Sequence, residues 1–296
     1  MKKSLAVVLI LAFLTSFIFA FQPVTLVDDL GRVVKFDKEV ERIIVAAPAI
    51  SDFIIKLGAK DKVVGVTDFD SYITDVEKIG NMFPLNVEKI ISLNPDVVLL
   101  TGGFQEGEVS KLEKFGIKSF VINPTTLNEM FRDLSLVGAI LGKGKTAQDY
   151  SRKLRVRMLN IAKNSFSWKN KPKVIYLSAY GSVSQMWTCG TGSYLNELIT
   201  YAGGINVTAP YTGNNGWFAI GPEFVVKENP DIILVPSYYP GDKGAYNLIM
   251  NAEQFKDVNA VKNSKVFIID GNKASLPNTG LIDLLGELNK LFSENR

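Results

Sequence analysis

Two stretches of the chain, Glu88-Lys-Ile-Ile-Ser-Leu-Asn-Pro-Asp-Val-Val-Leu-Leu100 and Glu223-Phe-Val-Val-Lys-Glu-Asn-Pro-Asp-Ile-Ile-Leu-Val235, follow one pattern at an offset of 135 residues. Each opens with Glu, carries Asn-Pro-Asp six residues on, and ends in four apolar residues. The offset is too long for a solenoid period and suits two similar domains in one chain. Each unit reads as a short helix, a Pro-Asp turn and a buried parallel strand. A duplicated α/β unit predicts two lobes facing each other across a cleft.

The 296 residues are 47% hydrophobic, enough for two cores of ordinary size. A net charge of +3 without a polybasic block argues against a nucleic-acid partner. Met1-Lys2-Lys3 and the apolar run from Leu5 to Phe21 read as a secretory leader, residues 1–20, cut after Ala20. An uncleaved membrane anchor is the alternative, because Ile18 is bulkier than the small residue preferred three places before a cut. No Cys follows the run, so a lipid anchor is not supported, and an exported, extracytoplasmic protein is expected.

Histidine is absent. A Ser-His-Asp triad, a Cys-His dyad and a His-containing zinc site are thereby excluded. The one cysteine, Cys189, forms no intramolecular disulfide and is expected to be buried as a small apolar residue. Asp68, Asp70 and Asp75 come nearest to a hard-ion site but lack the turn glycine of a calcium loop. No metal site and no cofactor of the protein's own are expected.

Along the chain, Val24 to Phe36 predicts a hairpin turning at Asp28-Asp29-Leu-Gly31. Strands are expected at Ile43–Val45, Val63–Val66, Val97–Leu100 and Ser119–Ile122, with a helix from about Ser51 as N-cap. The alternation makes an N-terminal α/β lobe over 22–141 with a mainly parallel sheet. Thr146 to Asn164 carries Ala147, Tyr150, Leu154, Met158 and Ile161 on one stripe, predicting a straight helix across both lobes (142–168). The second lobe, 169–296, restarts at Val174–Leu177, with Tyr180 to Gly192 as a Gly/Ser-rich loop. Gly142-Lys-Gly-Lys-Thr146 lacks phosphate-loop spacing and reads as an inter-helix turn. Asn206-Val-Thr208 matches a glycosylation sequon, a match that three residues can make by chance.

Aromatic residues gather at predicted strand ends. Tyr72 and Phe104 follow strands of the first lobe; Tyr180, Trp187, Trp217 and Tyr238 lie in loops of the second. Ligands of open α/β sheets bind outside the carboxyl ends of the strands, and rings there offer large, stiff contact surfaces. With Pro48, after the first strand, these residues form the candidate ligand-binding set. Glu88 and Glu223 read either as helix-end carboxylates favoured by the dipole or as a two-point contact to a symmetric partner.

From about Val27 onward the chain resembles the periplasmic binding proteins of ABC importers for vitamin B12, haem and ferric siderophores. The resemblance rests on Asp29-x-Gly31-Arg32, Arg42-Ile-Ile-Val45 leading into Leu57-Gly-Ala59, and Val63-Val-Gly-Val66. Asn86-x-Glu88 before Leu93-Asn-Pro-Asp96, and Gly192-Ser-Tyr-Leu-Asn-Glu197 before Ala202-Gly-Gly204, add to it. It implies a helical connection between two lobes, a cleft that closes only slightly, and a monomer delivering ligand to an ABC permease dimer with its ATPase. It also implies that Glu88 and Glu223 meet permease arginines, and that Trp217 and Tyr72 contact ligand. The implied ligand is a small-molecule metal chelate, a ferric siderophore or corrinoid before haem. An exported two-lobed α/β enzyme is the rival reading; it needs a nucleophile–base pair or metal cluster, and neither is visible.

Overall fold

The computed structural model describes residues 22–296, so the leader and the choice between cleavage and anchor lie outside the described residues. Among the described residues no helix is long and apolar enough to cross a membrane.

The duplicated stretch builds the same object twice. In the first lobe a parallel sheet runs in the order Glu77–Lys78, Val63–Val66, Ile43–Val45, Val97–Thr101, Ser119–Ile122. In the second the order is Ile205–Asn206, Lys173–Tyr176, Ile232–Ser237, Val266–Asp270, again all parallel. Helices Val87–Ser92 and Pro222–Glu228 each lead into the strand that follows Asn-Pro-Asp. Asn94 and Asn229 take left-handed backbones, with φ of 46° and 45°, and so turn the chain out of each helix.

The Asp of each motif then fixes the strand. Asp96 Oδ2 accepts the backbone N–H groups of Glu41 and Arg42, both at 2.9 Å, while Asp96 N donates to Arg42 O at 2.7 Å. Asp231 repeats this on Lys173: Oδ2 accepts its N–H at 2.9 Å, and Asp231 N donates to its carbonyl at 2.8 Å. Each carboxylate thus sets the register at which the central strand of its lobe enters the sheet.

Period-two alternation assigns the strand faces. Ile44, Val98, Leu100 and Val121 point outward under the first lobe's outer helices, and Ile175, Ile233 and Val235 do so in the second. The opposite faces, with Ile43, Val97, Leu99 and Phe120 from one lobe and Val174, Tyr176, Ile232 and Leu234 from the other, belong to a single cluster. Ala147, Leu154 and Met158 of the 23-residue helix Gly144–Phe166 join it, with Tyr150 and Ile161 packed against it. The expected two cores are therefore one shared core flanked by an outer cluster for each lobe, because the connecting helix turns its apolar stripe to both.

Polar contacts reinforce that seam. Asp52 Oδ2, buried in the first lobe, accepts from the backbone N–H (3.0 Å) and hydroxyl (2.6 Å) of Thr279. Burial pushes the Asp52 carboxyl above its usual range, and the Thr279 hydrogen bonds oppose that rise. Glu197 in the second lobe accepts from Leu127 N at 2.7 Å, at the start of helix Leu127–Ile140.

Several expectations need correction. The first helix is Pro48–Lys56, with Pro48 buried in its first turn, and Ser51 is not its N-cap. The Gly/Ser-rich loop contains strand Met186–Cys189, and Trp217 begins strand Trp217–Ile220. With Ser178–Ala179 these make a three-stranded antiparallel sheet absent from the first lobe. Asn206 is buried and donates to Cys189 O and Asn196 Oδ1, so its amide is structural and the sequon is not presented to solvent. The hairpin, the inter-helix turn at Gly142 and the buried Cys189 stand as expected.

Replacing Asp96 with Ala removes a partly buried carboxylate that closes two strand-entry hydrogen bonds, and is expected to cost about 2–3 kcal/mol of unfolding free energy. Burial raises the Asp96 carboxyl, but the hydrogen bonds from Lys38, Glu41 and Arg42 outweigh it and hold the group below its usual value. A depressed carboxylate stabilises above its unfolded pKa. The deficit of D96A should thus be constant above about pH 5 and shrink as acid protonates the wild-type group below about pH 4. Thermal melts of both proteins across pH check this; a pH-independent deficit would remove the carboxylate's charge from the explanation.

Candidate functional site

In each lobe the loops at the carboxyl ends of the parallel strands hold the candidate rings, and each loop has its own anchor. Tyr72 is held by Asp70, whose Oδ1 accepts the N–H groups of Tyr72 and Ile73, both at 2.9 Å. Asp70 Oδ2 accepts the Ser51 hydroxyl at 2.5 Å. Ser51 and Asp70 thus organise the Tyr72 loop and leave nothing resembling a hard-ion site there; among the described residues no His/Cys/Asp/Glu group is arranged to hold a metal ion. The Tyr72 hydroxyl accepts from Asn278 Nδ2 of the second lobe at 3.0 Å, bridging the lobes.

Phe104 lies in the one-turn 3-10 segment Gly103–Gln105. Buried Gln105 fixes that turn by donating to Ala46 O and Met82 O and accepting from Thr101 N. Phe104 is exposed and packs edge-on against Phe83, also exposed, with ring centroids 6.4 Å apart. Pro48 exposes no ring: it is buried as the opening residue of its helix.

The second lobe concentrates more rings. Cys189 opposes Trp217 and Trp187 opposes Ala219 across the antiparallel ladder, so Trp187 and Trp217 share one face as diagonal neighbours. Phe218, Met186 and Ile220 point the other way into the outer cluster. Half-buried Trp217 stands edge-on to Tyr176 at 5.6 Å and to Tyr194 at 6.3 Å. Tyr180 is 70% exposed and lines a recess of about 240 Å³ with Tyr238, Tyr239 and Asp242. The Tyr238 hydroxyl lies 3.2 Å from Ser275 Oγ. A second recess of about 430 Å³ is lined by Ser237 to Lys243, Ile268 to Asp270 and Asn272, at the carboxyl ends of strands Ile232–Ser237 and Val266–Asp270.

Burial sets the chemistry of these groups. It pushes the phenols of Tyr72, Tyr176, Tyr194 and Tyr238 upward, so they remain neutral hydrogen-bonding groups at physiological pH. The Cys189 thiol, fully buried, is pushed up to about 12 and is no nucleophile.

The structure therefore joins Tyr180 with Tyr238, sets Trp187 beside Trp217 on one sheet face, and links Tyr72 to the second lobe. Phe104 is paired only with Phe83 among the described ring contacts. Phe83, Tyr176 and Tyr194 were missed, and Tyr239, which follows the same strand as Tyr238, was left out of the ligand-binding set. Tyr239 was within reach: it stands 135 residues after Phe104, at the repeat offset. The strand of Trp217 was also signalled, because Asn215 and Gly216 both take positive φ, the pairing of an Asn-Gly hairpin turn.

Glu88 and Glu223 occupy the second position of their helices and are exposed. Capping is done by others: Asn86 accepts from Lys89 N in the first lobe, while Gly221 and Pro222 open the helix in the second. Neither glutamate forms an ion pair within the described residues. These helices precede parallel strands, so both N-termini lie on the side of the sheets where the strands end.

Comparisons with known proteins agree with this architecture. The chain is 27% identical over 274 residues to an uncharacterised ABC transporter substrate-binding lipoprotein, YvrC, of Bacillus subtilis, covering 90% of this chain and 84% of that one. It is 23% identical to a cobalamin-binding protein of Halobacterium salinarum, over 91% of this chain and 74% of the other. A solved Fe3+-hydroxamate transport protein from Saccharomonospora viridis has the same fold, with a TM-score of 0.75 at 21% identity, covering 91% of this chain and 98% of that structure. The sequence model of the periplasmic binding protein family matches residues 43–272, well over half of the chain, and the chain belongs to that family.

Proposed function

We propose that this chain is the extracytoplasmic solute-binding protein of an ABC importer, capturing a metal chelate of neutral or positive charge, a corrinoid or a ferric hydroxamate. It binds and delivers, and does not catalyse. The observation that carries the ligand class is the fate of the arginines, all of which are spent on structural contacts. Arg32 holds Asp28, Arg42 the Leu93 and Asn94 carbonyls, and Arg132 Asp29 and Asp133. Arg152 pairs with Asp149, Arg157 with Asp283, Arg155 covers the Phe131 ring, and Arg296 covers Trp168.

A tricatecholate complex or a haem with two propionates needs cationic partners when it leaves water. The recesses at the second lobe's strand ends instead offer phenols and the carboxylates of Asp242 and Asp270, with Lys243 as the single cation of their lining. Neutral phenols and rings suit the amides and apolar rim of a corrinoid, or the hydroxamate groups of a neutral or cationic chelate. The cobalamin-binding relative supports the corrinoid side of that choice. In this reading Tyr72, Phe104, Tyr180, Trp187, Trp217 and Tyr238 contact ligand, with Tyr239 added and Pro48 left to its helix. Glu88 and Glu223 engage the permease dimer that works with its ATPase, and the chain acts as a monomer.

Calorimetric titration tests the ligand class. Cyanocobalamin or the cationic trihydroxamate ferrioxamine B should bind at least about tenfold more tightly than a ferric tricatecholate or haem, the loss expected from an unpaired anion. The reverse order would overturn the assignment. Trp217→Ala should weaken the bound chelate by about 1–3 kcal/mol; an unchanged affinity takes Trp217 out of the site.

Glu88→Arg and Glu223→Arg should each depress uptake of the chelate by cells while leaving its affinity for the purified protein unchanged. A variant that loses ligand affinity instead would place that glutamate at the ligand and not at the permease.

A further inference from the structure

Ile91 and Val226 are exposed to 44% and 47%, and they stand 135 residues apart, at the offset of the internal repeat. Each lies three residues after its glutamate, so on the helices Val87–Ser92 and Pro222–Glu228 the acid and the apolar side chain fall on one stripe. The inward contact of each helix is made by the residue before, Ile90 and Val225, both fully buried. Folding therefore does not require an apolar residue at 91 or at 226. A lone exposed aliphatic residue is ordinary, but the same acid-and-aliphatic pair in the same register on both lobes needs a common cause.

The charge beside each residue is uncompensated. Lys89 turns away to Glu77 at 2.7 Å, leaving Glu88 free, and Lys227 forms no ion pair with Glu223 among the described residues. A second copy of this chain would bring acid against acid, so the patches do not suit self-association.

We infer that Ile91 and Val226 complete a two-point docking surface for a membrane partner with two equivalent faces, each presenting an apolar recess beside a cationic side chain. This rests on the reading of Glu88 and Glu223 as docking residues and extends it from charge to shape. The glutamates steer and orient, while the aliphatic side chains, desolvated against the partner, slow its departure. Duplication of the pair within one chain matches repetition of one face in a two-fold partner.

The test places a photoreactive benzoylphenylalanine at position 91, at 226, at 92 beside the first patch, and at the remote exposed positions Val33 and Leu159, in the full chain expressed in its native host. After irradiation of intact cells, positions 91 and 226 should each yield an adduct with an integral membrane protein, of one size when the partner faces are identical copies, about tenfold above the yield at Val33 and Leu159. In parallel, the I91S/V226S protein should keep its melting temperature and ligand affinity, yet compete with the unmodified chain for that adduct about tenfold less well. Adducts at 92 without any at 91 or 226, or full competition by I91S/V226S, would overturn this inference and leave the glutamate docking intact. Absence of membrane adducts at all three patch positions would overturn both.

Discussion

The structure depends on a reciprocal pair of backbone and carboxylate contacts made once in each lobe. Asp96 grips Arg42 and Asp231 grips Lys173, each accepting the N–H and donating to the carbonyl of the residue that leads into a central strand. This fixes the relation between one helix and two parallel strands, and everything at the opposite end of the sheet inherits it. The left-handed Asn before each Pro-Asp sets the helix exit, so the helix start, with its glutamate, is also determined. Duplication of three residues thus carries two lobes, two strand-end loop sets and two acidic helix starts in matching positions.

How the lobes are joined limits what the cleft can do. Their inner sheet faces and the connecting helix share one apolar cluster, and Asp52–Thr279 and Glu197–Leu127 seal polar seams beside it. Opening by a wide hinge would split that cluster and leave the buried Asp52 carboxyl without its partners, both costly. Exchange of ligand is better served by small shifts of the strand-end loops. The Tyr72–Asn278 hydrogen bond is a suitable element for such a shift, since it crosses the lobes through one side-chain pair at the rim.

Strong local periodicity made most of the fold legible in the sequence. Apolar runs of four after Pro-Asp marked one inner parallel strand in each lobe, and the stripe from Ala147 to Ile161 marked the connecting helix to within a few residues at each end. What escaped notice depends on partners remote in sequence. Ser51 resembles an N-cap locally, but Pro48 starts the helix and frees Ser51 to reach Asp70. Met186–Cys189 reads as loop because neighbouring Gly and Ser mask an alternation that only its pairing with Trp217–Ile220 makes a strand. The same holds for the rings: most exposed ones after strand ends were visible, whereas Tyr176 and Tyr194 join the candidate site only through their packing on Trp217.

The lobes are alike in framework and unlike in chemistry, and that difference bears on recognition. The first contributes few rings, each fixed by a buried polar residue, Asp70 for Tyr72 and Gln105 for Phe104. The second adds an antiparallel sheet that gives Trp187 and Trp217 one face, with Tyr176 and Tyr194 packed on Trp217, while Tyr180 and Tyr238 line a recess. A ligand held between them would meet a broad aromatic wall on one side and a few separate contacts on the other. Such a division favours a large rigid molecule that lays one face on the wall and presents edge groups to the opposite loops. It also separates the framework from the variable part: the inserted antiparallel sheet belongs to the second lobe alone, while the Glu–Asn-Pro-Asp units are common to both.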